Sequence, residues 1–559
     1  MRVCAAIFAS ATVLFGCAPG PGFLAPDDTP QSAYGSFLAA RYANTARNVE
    51  QSARLYADAL SFEPDSTLIS ERAFLVSLMA GDFARADEAA QAAAGDADAI
   101  ALIGLYIDAA RLSGARIEAT TSSQGTDGFS DLVRAVIAHW ALVDQGRVSE
   151  AVDASGRIES PFAAAGQVMV HRALLFERAG RHERAETLYR AAHAGLDMPD
   201  YTAVLLGAFL ERRGRSREAE ALYRQRIEAG GAPPDPEIAA ALARVTAGER
   251  APRRPRAAQA AAQALFAPAA LLTRQAPVDY SALFLRLIER LDPDFQRNTF
   301  ALAEILKGLE LQAAALAAYE SLDEGPFSGR AGVQAAWLTF RSGRQEEALA
   351  QARALINADG SESTRLVLAD MLRASDQCAQ AAPIYEQVAA ARQRAGLDPD
   401  WRHAYYAGVC RQRSQGWAAA EPHLLRALEI APDEPRVLNH LGYNWIVLET
   451  RVEEGFELVR RAAELAPDNG AVLDSLGWGH FKQGRVAEAV RWLEDAVSRS
   501  PENPTINWHL GDAYAAAGRS LEAQFQWRRT LELDPDPRER DLVRRRLEQG
   551  LEAGPEDLE

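Results

Sequence analysis

Residues 470–503 read GAVLDSLGWGHFKQGRVAEAVRWLEDAVSRSPEN, and their spacing decides the fold. Leu473, Leu476, Gly477 and His480 recur at helical intervals, which predicts a short amphipathic helix. Gly484 and Arg485 interrupt that pattern. Ala489, Leu493 and Ala496 then form the stripe of a second helix, and Pro501 closes the unit because its ring cannot continue one. Gly477 and Ala489 are small enough for two helix backbones to approach closely, with Leu476 and Leu493 filling the space around them. Such a hairpin leaves an apolar face bare, so it requires neighbours of its own kind.

Those neighbours are present. Four units begin at Trp401, Pro435, Gly470 and Pro504. Gly408, Gly442, Gly477 and Gly511 share one small-residue slot, and Ala420, Gly455, Ala489 and Ala523 share the second. Pro432, Pro467, Pro501 and Pro535 close the units, while an extra residue near Thr450 and Arg451 predicts one longer turn. Further upstream, Gly146, Gly180 and Gly214 lie 34 residues apart, as do Ala151, Ala185 and Ala219. Leu542, Val543, Leu547 and Leu551 share one face amid many charges, which predicts a helix capping the last repeat.

Leu473, Leu476, Gly477, Ala489, Leu493, Ala496 and Pro501 fall on the signature positions of the tetratricopeptide repeat, which this stretch resembles; His480 stands where that signature has tyrosine. The resemblance implies an all-α, right-handed superhelical solenoid of helix hairpins, roughly twelve to fourteen pairs. On this basis 33–233 is an N-terminal repeat array, 234–261 an irregular linker and 262–400 a degenerate middle array. Residues 401–537 are then the regular C-terminal array, and 538–559 the capping helix with an acidic tail. The linker carries RAPRRPR at 250–256, a basic run read as solvated, with contact to anionic envelope components as its functional alternative.

The chain has 559 residues, 48% hydrophobic and 25% charged, which is ordinary globular material. Its net charge of −17 argues against nucleic acid, whose phosphates require a basic footprint. At the start, Arg2 precedes a largely apolar run over 3–15 that is too short to span a bilayer, so 1–16 reads as a signal peptide. Leu14-Phe15-Gly16-Cys17 resembles a bacterial lipobox, although Phe15 is bulkier than the usual small residue. That resemblance implies a lipid on Cys17, a tether over 17–32 and, with Ala18 following, the outer membrane.

No H-x-x-x-H or C-x-x-C pair offers a metal site, and no cofactor motif is present. His171, His182 and His193 come closest to a cluster, but Gly180 breaks the helix that would align them. Gly477-Trp478-Gly479 sits inside a helical pattern with no strand before it, so it is not a nucleotide loop. Ser475 lacks the glycine-flanked elbow of a hydrolase nucleophile. These readings exclude the common enzyme signatures. Cys378 and Cys410 fall in adjacent repeats on one edge, where a disulfide and two buried thiols are equally compatible with the pattern.

A surface remains. In tetratricopeptide arrays the first helices line the concave side. Carried over, that places Arg402, Tyr405, Asn439, Tyr443, Asp474, Trp478, Phe481, Trp508 and Asp512 in a C-terminal partner-binding groove. The competing reading for Trp478 and Trp508 is packing between repeats. The NHLGYNW, LDSLGW and HLGDAY blocks, with the lipobox, are similar to a family of envelope lipoproteins. One kind is an outer-membrane adaptor for a carboxyl-terminal processing protease, so the resemblance implies a non-enzymatic, periplasm-facing scaffold that binds a protease and its clients. The rival expectations are a structural part of a secretion, pilus or outer-membrane assembly, and a glycan-binding lipoprotein.

Overall fold

A computed structural model describes residues 32–94, 100–117, 128–158, 168–230, 233–275, 277–358 and 360–552. The expected signal peptide, Cys17 and the expected tether up to Gln31 lie outside them, as does the acidic tail from 553. Among the described residues there are 29 α-helices and no strand, and the helices form successive antiparallel hairpins. None of those helices is long and apolar enough to cross a membrane.

The hairpin at 470–503 shows why the spacing works. Its helices are Gly470–Lys482 and Val486–Arg499. A Cβ built on Gly477 would sit 2.7 Å from Leu493 Cγ, so only glycine permits this backbone approach. Gly484 has φ +70°, the left-handed conformation that ends the first helix, and Arg485 N–H then donates to the His480 carbonyl at 2.9 Å. Asn469 caps the first helix through Ala471 N–H at 3.1 Å. The longer turn expected near Thr450 is present: Pro435–Val447 and Val452–Leu465 are separated by 448–451, with Glu449 at φ 53°.

The chain divides into two compact units, Met1–Gln351 and Ala352–Glu559. In the first, two successive repeats are each tied to the next by a buried carboxylate. Glu177 accepts from Tyr189 Oη at 2.9 Å and from Arg212 Nε at 2.7 Å. One period later, Glu211 accepts from Tyr223 Oη at 2.9 Å and from Arg244 Nη2 at 2.7 Å. Each carboxylate is thus partnered by a phenol and a guanidinium from different helices, which offsets its desolvation.

The stretch 234–261, expected to be an irregular linker, contains the helix Pro236–Thr246 and the start of Ala257–Gln275. Asp235 caps the first of these by accepting from Glu237 and Ile238 N–H, and Pro236 occupies the first turn, where its missing N–H is no loss. The basic run between them contributes Arg254, 3.9 Å from Glu177.

The hairpin formed by Ala257–Gln275 and Val278–Leu291 departs from simple stacking. It packs on Thr67–Ala80, Ala101–Leu112, Gly128–Asp144 and Met169–Arg178, helices far earlier in the chain. Phe284 meets Phe129 edge-on at 4.8 Å, Arg290 Nη2 donates to Asp87 at 3.0 Å, and Arg286 Nε donates to the Met79 carbonyl at 3.3 Å. Leu283, Phe284, Leu285, Leu287, Ile288 and Leu291 are all buried on a broad apolar face, while Arg286 and Arg290 on the opposite side are held by these polar contacts.

The second unit is regular. Its hairpins include Trp401–Gln415 with Trp417–Ile430, and Pro504–Ala516 with Ser520–Glu532. Pro537–Gln549 then covers the last repeat, opened by a capping box between Asp536 and Glu539.

Candidate protein-binding cleft

The first helices of the four C-terminal repeats lie side by side and enclose an open cleft of about 530 Å³. Tyr405, Asn439, Tyr443 and Asp474, four of the nine residues expected in a groove, line it. The amide of Asn439 enters with its Oδ1 buried and without a hydrogen-bond partner. Asp474 Oδ1 lies 2.8 Å from Nδ1 of His509, one repeat further on.

The other five are placed elsewhere. Arg402 is exposed, paired with Asp400 at 3.1 Å. Trp478 and Trp508 are buried and pack together with ring centroids 5.0 Å apart, and Phe481 stacks on Trp478 at 4.7 Å. His509 covers the other contact of Trp478 at 3.9 Å. Asp512 is fully buried, where it accepts from Trp527 Nε1 at 2.9 Å and from Arg546 Nε at 3.1 Å. Trp508 Nε1 donates to Glu539 at 3.1 Å. Trp478, Trp508 and Asp512 are therefore corrected from groove to core. Helix position gave them the concave face, but the capping helix supplies Glu539, Leu542, Val543 and Arg546 to cover it. Burial raises the pKa of Asp512, against the lowering influence of Arg546.

Residues outside the expected set complete the cleft wall. His440 has its Nε2 2.6 Å from Gln412 Oε1 and its Nδ1 3.4 Å from the Tyr405 hydroxyl, and burial holds its pKa down to about 4. Asn469 and Asn503 line the cleft while capping their helices. Their signal was in the sequence as helix-start residues, which hides that an N-cap at the end of such a helix also faces the cleft. His480, at the tyrosine position, is half-buried beside Phe456 at 5.2 Å.

Cys378 and Cys410 are both buried free thiols, with sulfurs 2.7 Å apart. Burial, then the neighbouring sulfur, pushes the Cys410 thiol pKa far up. Of the three histidines closest in sequence, only His171 joins a histidine pair: its Nε2 lies 3.1 Å from Nδ1 of His139.

Residues 480–547 match the family model described as tetratricopeptide repeat. A TPR repeat-containing protein of Pseudomonas aeruginosa is 27% identical over 108 residues, which is 19% of this chain. The match spans 18% of that curated relative's length. Among solved structures, a tetratricopeptide repeat protein from Parabacteroides merdae is 12% identical with TM-score 0.38, covering 45% of this chain and 97% of that one. The APC/C hetero-tetramer Cut9-Hcn1 is 13% identical with TM-score 0.38, over 93% of this chain and 96% of that one. Repeats of this kind are interaction scaffolds that present extended surfaces to other proteins.

Proposed function

We propose that this chain is a non-enzymatic protein-binding scaffold that holds an extended segment of a partner protein in the cleft of its C-terminal unit. The observation that carries this is the lining: phenol and amide side chains from consecutive first helices, Tyr405, Asn439, Tyr443 and Asn444 among them, line one opening. Amides pair with a peptide backbone, and tyrosines supply contact area at low entropy cost. The finer reading is an adaptor lipoprotein, anchored through Cys17 and facing the periplasm from the outer membrane. There it presents clients to a processing protease or to cell-wall machinery. The apolar leader ending at Cys17 and the C-terminal repeat blocks support that reading.

Crosslinking in cells followed by pull-down of the full chain tests both levels. Asn439→Ala should remove the captured partner while helicity and melting stay near wild type. Equal capture by the variant excludes the cleft. A captured protease supports the adaptor role, and subunits of an assembly machine replace it with a structural one. Cys17→Ser should move the protein from the membrane to the soluble fraction; retention on membranes counts against the anchor.

A further inference from the structure

The charge of the cleft narrows what can sit in it, an inference that rests on the peptide-binding reading above. Asp474 lies on its floor, 6% exposed, and engages His509 through one oxygen only. The second oxygen of Asp474 makes no hydrogen bond to the described residues. Glu539 lies close by, bonded to Trp508 Nε1 at 3.1 Å and to the Thr505 hydroxyl. Besides burial, these two carboxylates raise the pKa of the Tyr443 phenol, so both act on the same part of the wall. The cation lining the cleft, Arg436, is committed at the rim: its Nε is 2.9 Å from Glu434, and its guanidinium lies over Trp401 at 4.7 Å.

We propose that the cleft selects an extended segment carrying a lysine or arginine, whose cationic head reaches the open oxygen of Asp474 beside the ring of Tyr443. A cation supplies the donor this poorly solvated carboxylate lacks, and the charge-assisted bond strengthens away from water. The tyrosine faces add cation–π attraction along the side-chain stem. An acidic segment is repelled by the same floor.

Random peptides displayed on phage and panned against the full chain, and in parallel against Asp474→Asn, test this. The expected result is enrichment of lysine or arginine at one position with wild type, and loss of that bias with the variant. Changing that lysine to glutamine in a synthetic copy of an enriched peptide should weaken binding to wild-type protein about tenfold, and added salt should narrow the gap. The peptide substitution needs no protein variant, so it is independent of any folding defect in Asp474→Asn. Enriched peptides with no basic preference, or a preference that survives in Asp474→Asn, overturn the proposal and leave the cleft standing. A library that enriches nothing overturns both.

Discussion

The two compact units apply one repeat pattern to opposite ends. In the N-terminal unit, helices such as Thr67–Ala80 and Met169–Arg178 are covered by the hairpin at 257–291. In the C-terminal unit, the corresponding helices keep an open cleft lined by Tyr405, Asn439 and Asp474. The difference lies in what the chain offers each concave face. Val278–Leu291 brings a broad apolar face, and its Arg286 and Arg290 find acceptors on earlier helices, so burying it between other helices is favourable. Residues 401–516 line theirs with amides and phenols instead, such as Gln412, Asn439, Tyr405 and Tyr443. A repeat array is therefore a binding surface only where its own sequence does not fill it.

The largest effects should come from breaking the filled face. Phe284→Ala removes a ring that is 2% exposed and wedged between Phe129 and Tyr280. We expect a loss of about 4 kcal/mol, read as lost hydrogen-exchange protection in 32–351 with 401–549 unchanged. Equal loss in both units would show that they unfold as one. On the C-terminal side, the matching weak point is the cap. Asp512→Ala leaves Arg546 buried without its partner, which should cost about 3 kcal/mol, measured as an earlier melt of the C-terminal unit. Asp512→Leu with Arg546→Met should recover part of that loss, because no buried charge is then stranded while the Trp527 N–H still loses its acceptor.

These sites also show what the sequence could and could not convey. The spacing of Gly477 and Leu493 is local, so it announces the close helix approach that the structure contains. The repeating glycines at 180 and 214 are local too, each ending a helix at positive φ. By contrast, Arg286 reaches the Met79 carbonyl across some two hundred residues, a pairing with no counterpart in periodicity. The groove reading failed at Trp508 and Asp512 for a related reason. Their helix position was right, but Glu539 and Arg546 stood among many charges, with nothing to mark them as the residues that turn inward. Asn439 and Tyr443, expected from the same helix positions, do line the cleft.

Acid should separate the units next. Burial, followed by His139 and Arg172, pushes the pKa of His171 down to about 3, and burial lowers that of His139. Unfolding restores the ordinary value near 6.5, so below that pH the unfolded chain binds the extra proton. The contribution is complete above about pH 6.5 and is lost as pH falls toward 3, by about 2 kcal/mol at pH 5 for His171. His440 in the cleft acts with the same sign, but only down to about 4. Urea titrations between pH 7 and 3 should therefore show the N-terminal unit still losing stability below about pH 4, where the His440 contribution levels off, and His171→Leu should flatten that limb.

The smallest effect on stability is expected where the proposed function is greatest. Asn439 carries a buried amide oxygen with no partner, so the folded protein already bears the cost of having removed it from water. Asn439→Ala deletes that cost with a few packing contacts, and the two nearly cancel. The melt should move by less than about 0.5 kcal/mol, whereas partner capture should fall sharply. A residue that contributed to packing alone would show the reverse, a lower melt with capture tracking it. A variant that leaves both unchanged would place the binding surface outside the cleft, and the contrast between a filled and an open concave face would then describe only how each unit packs.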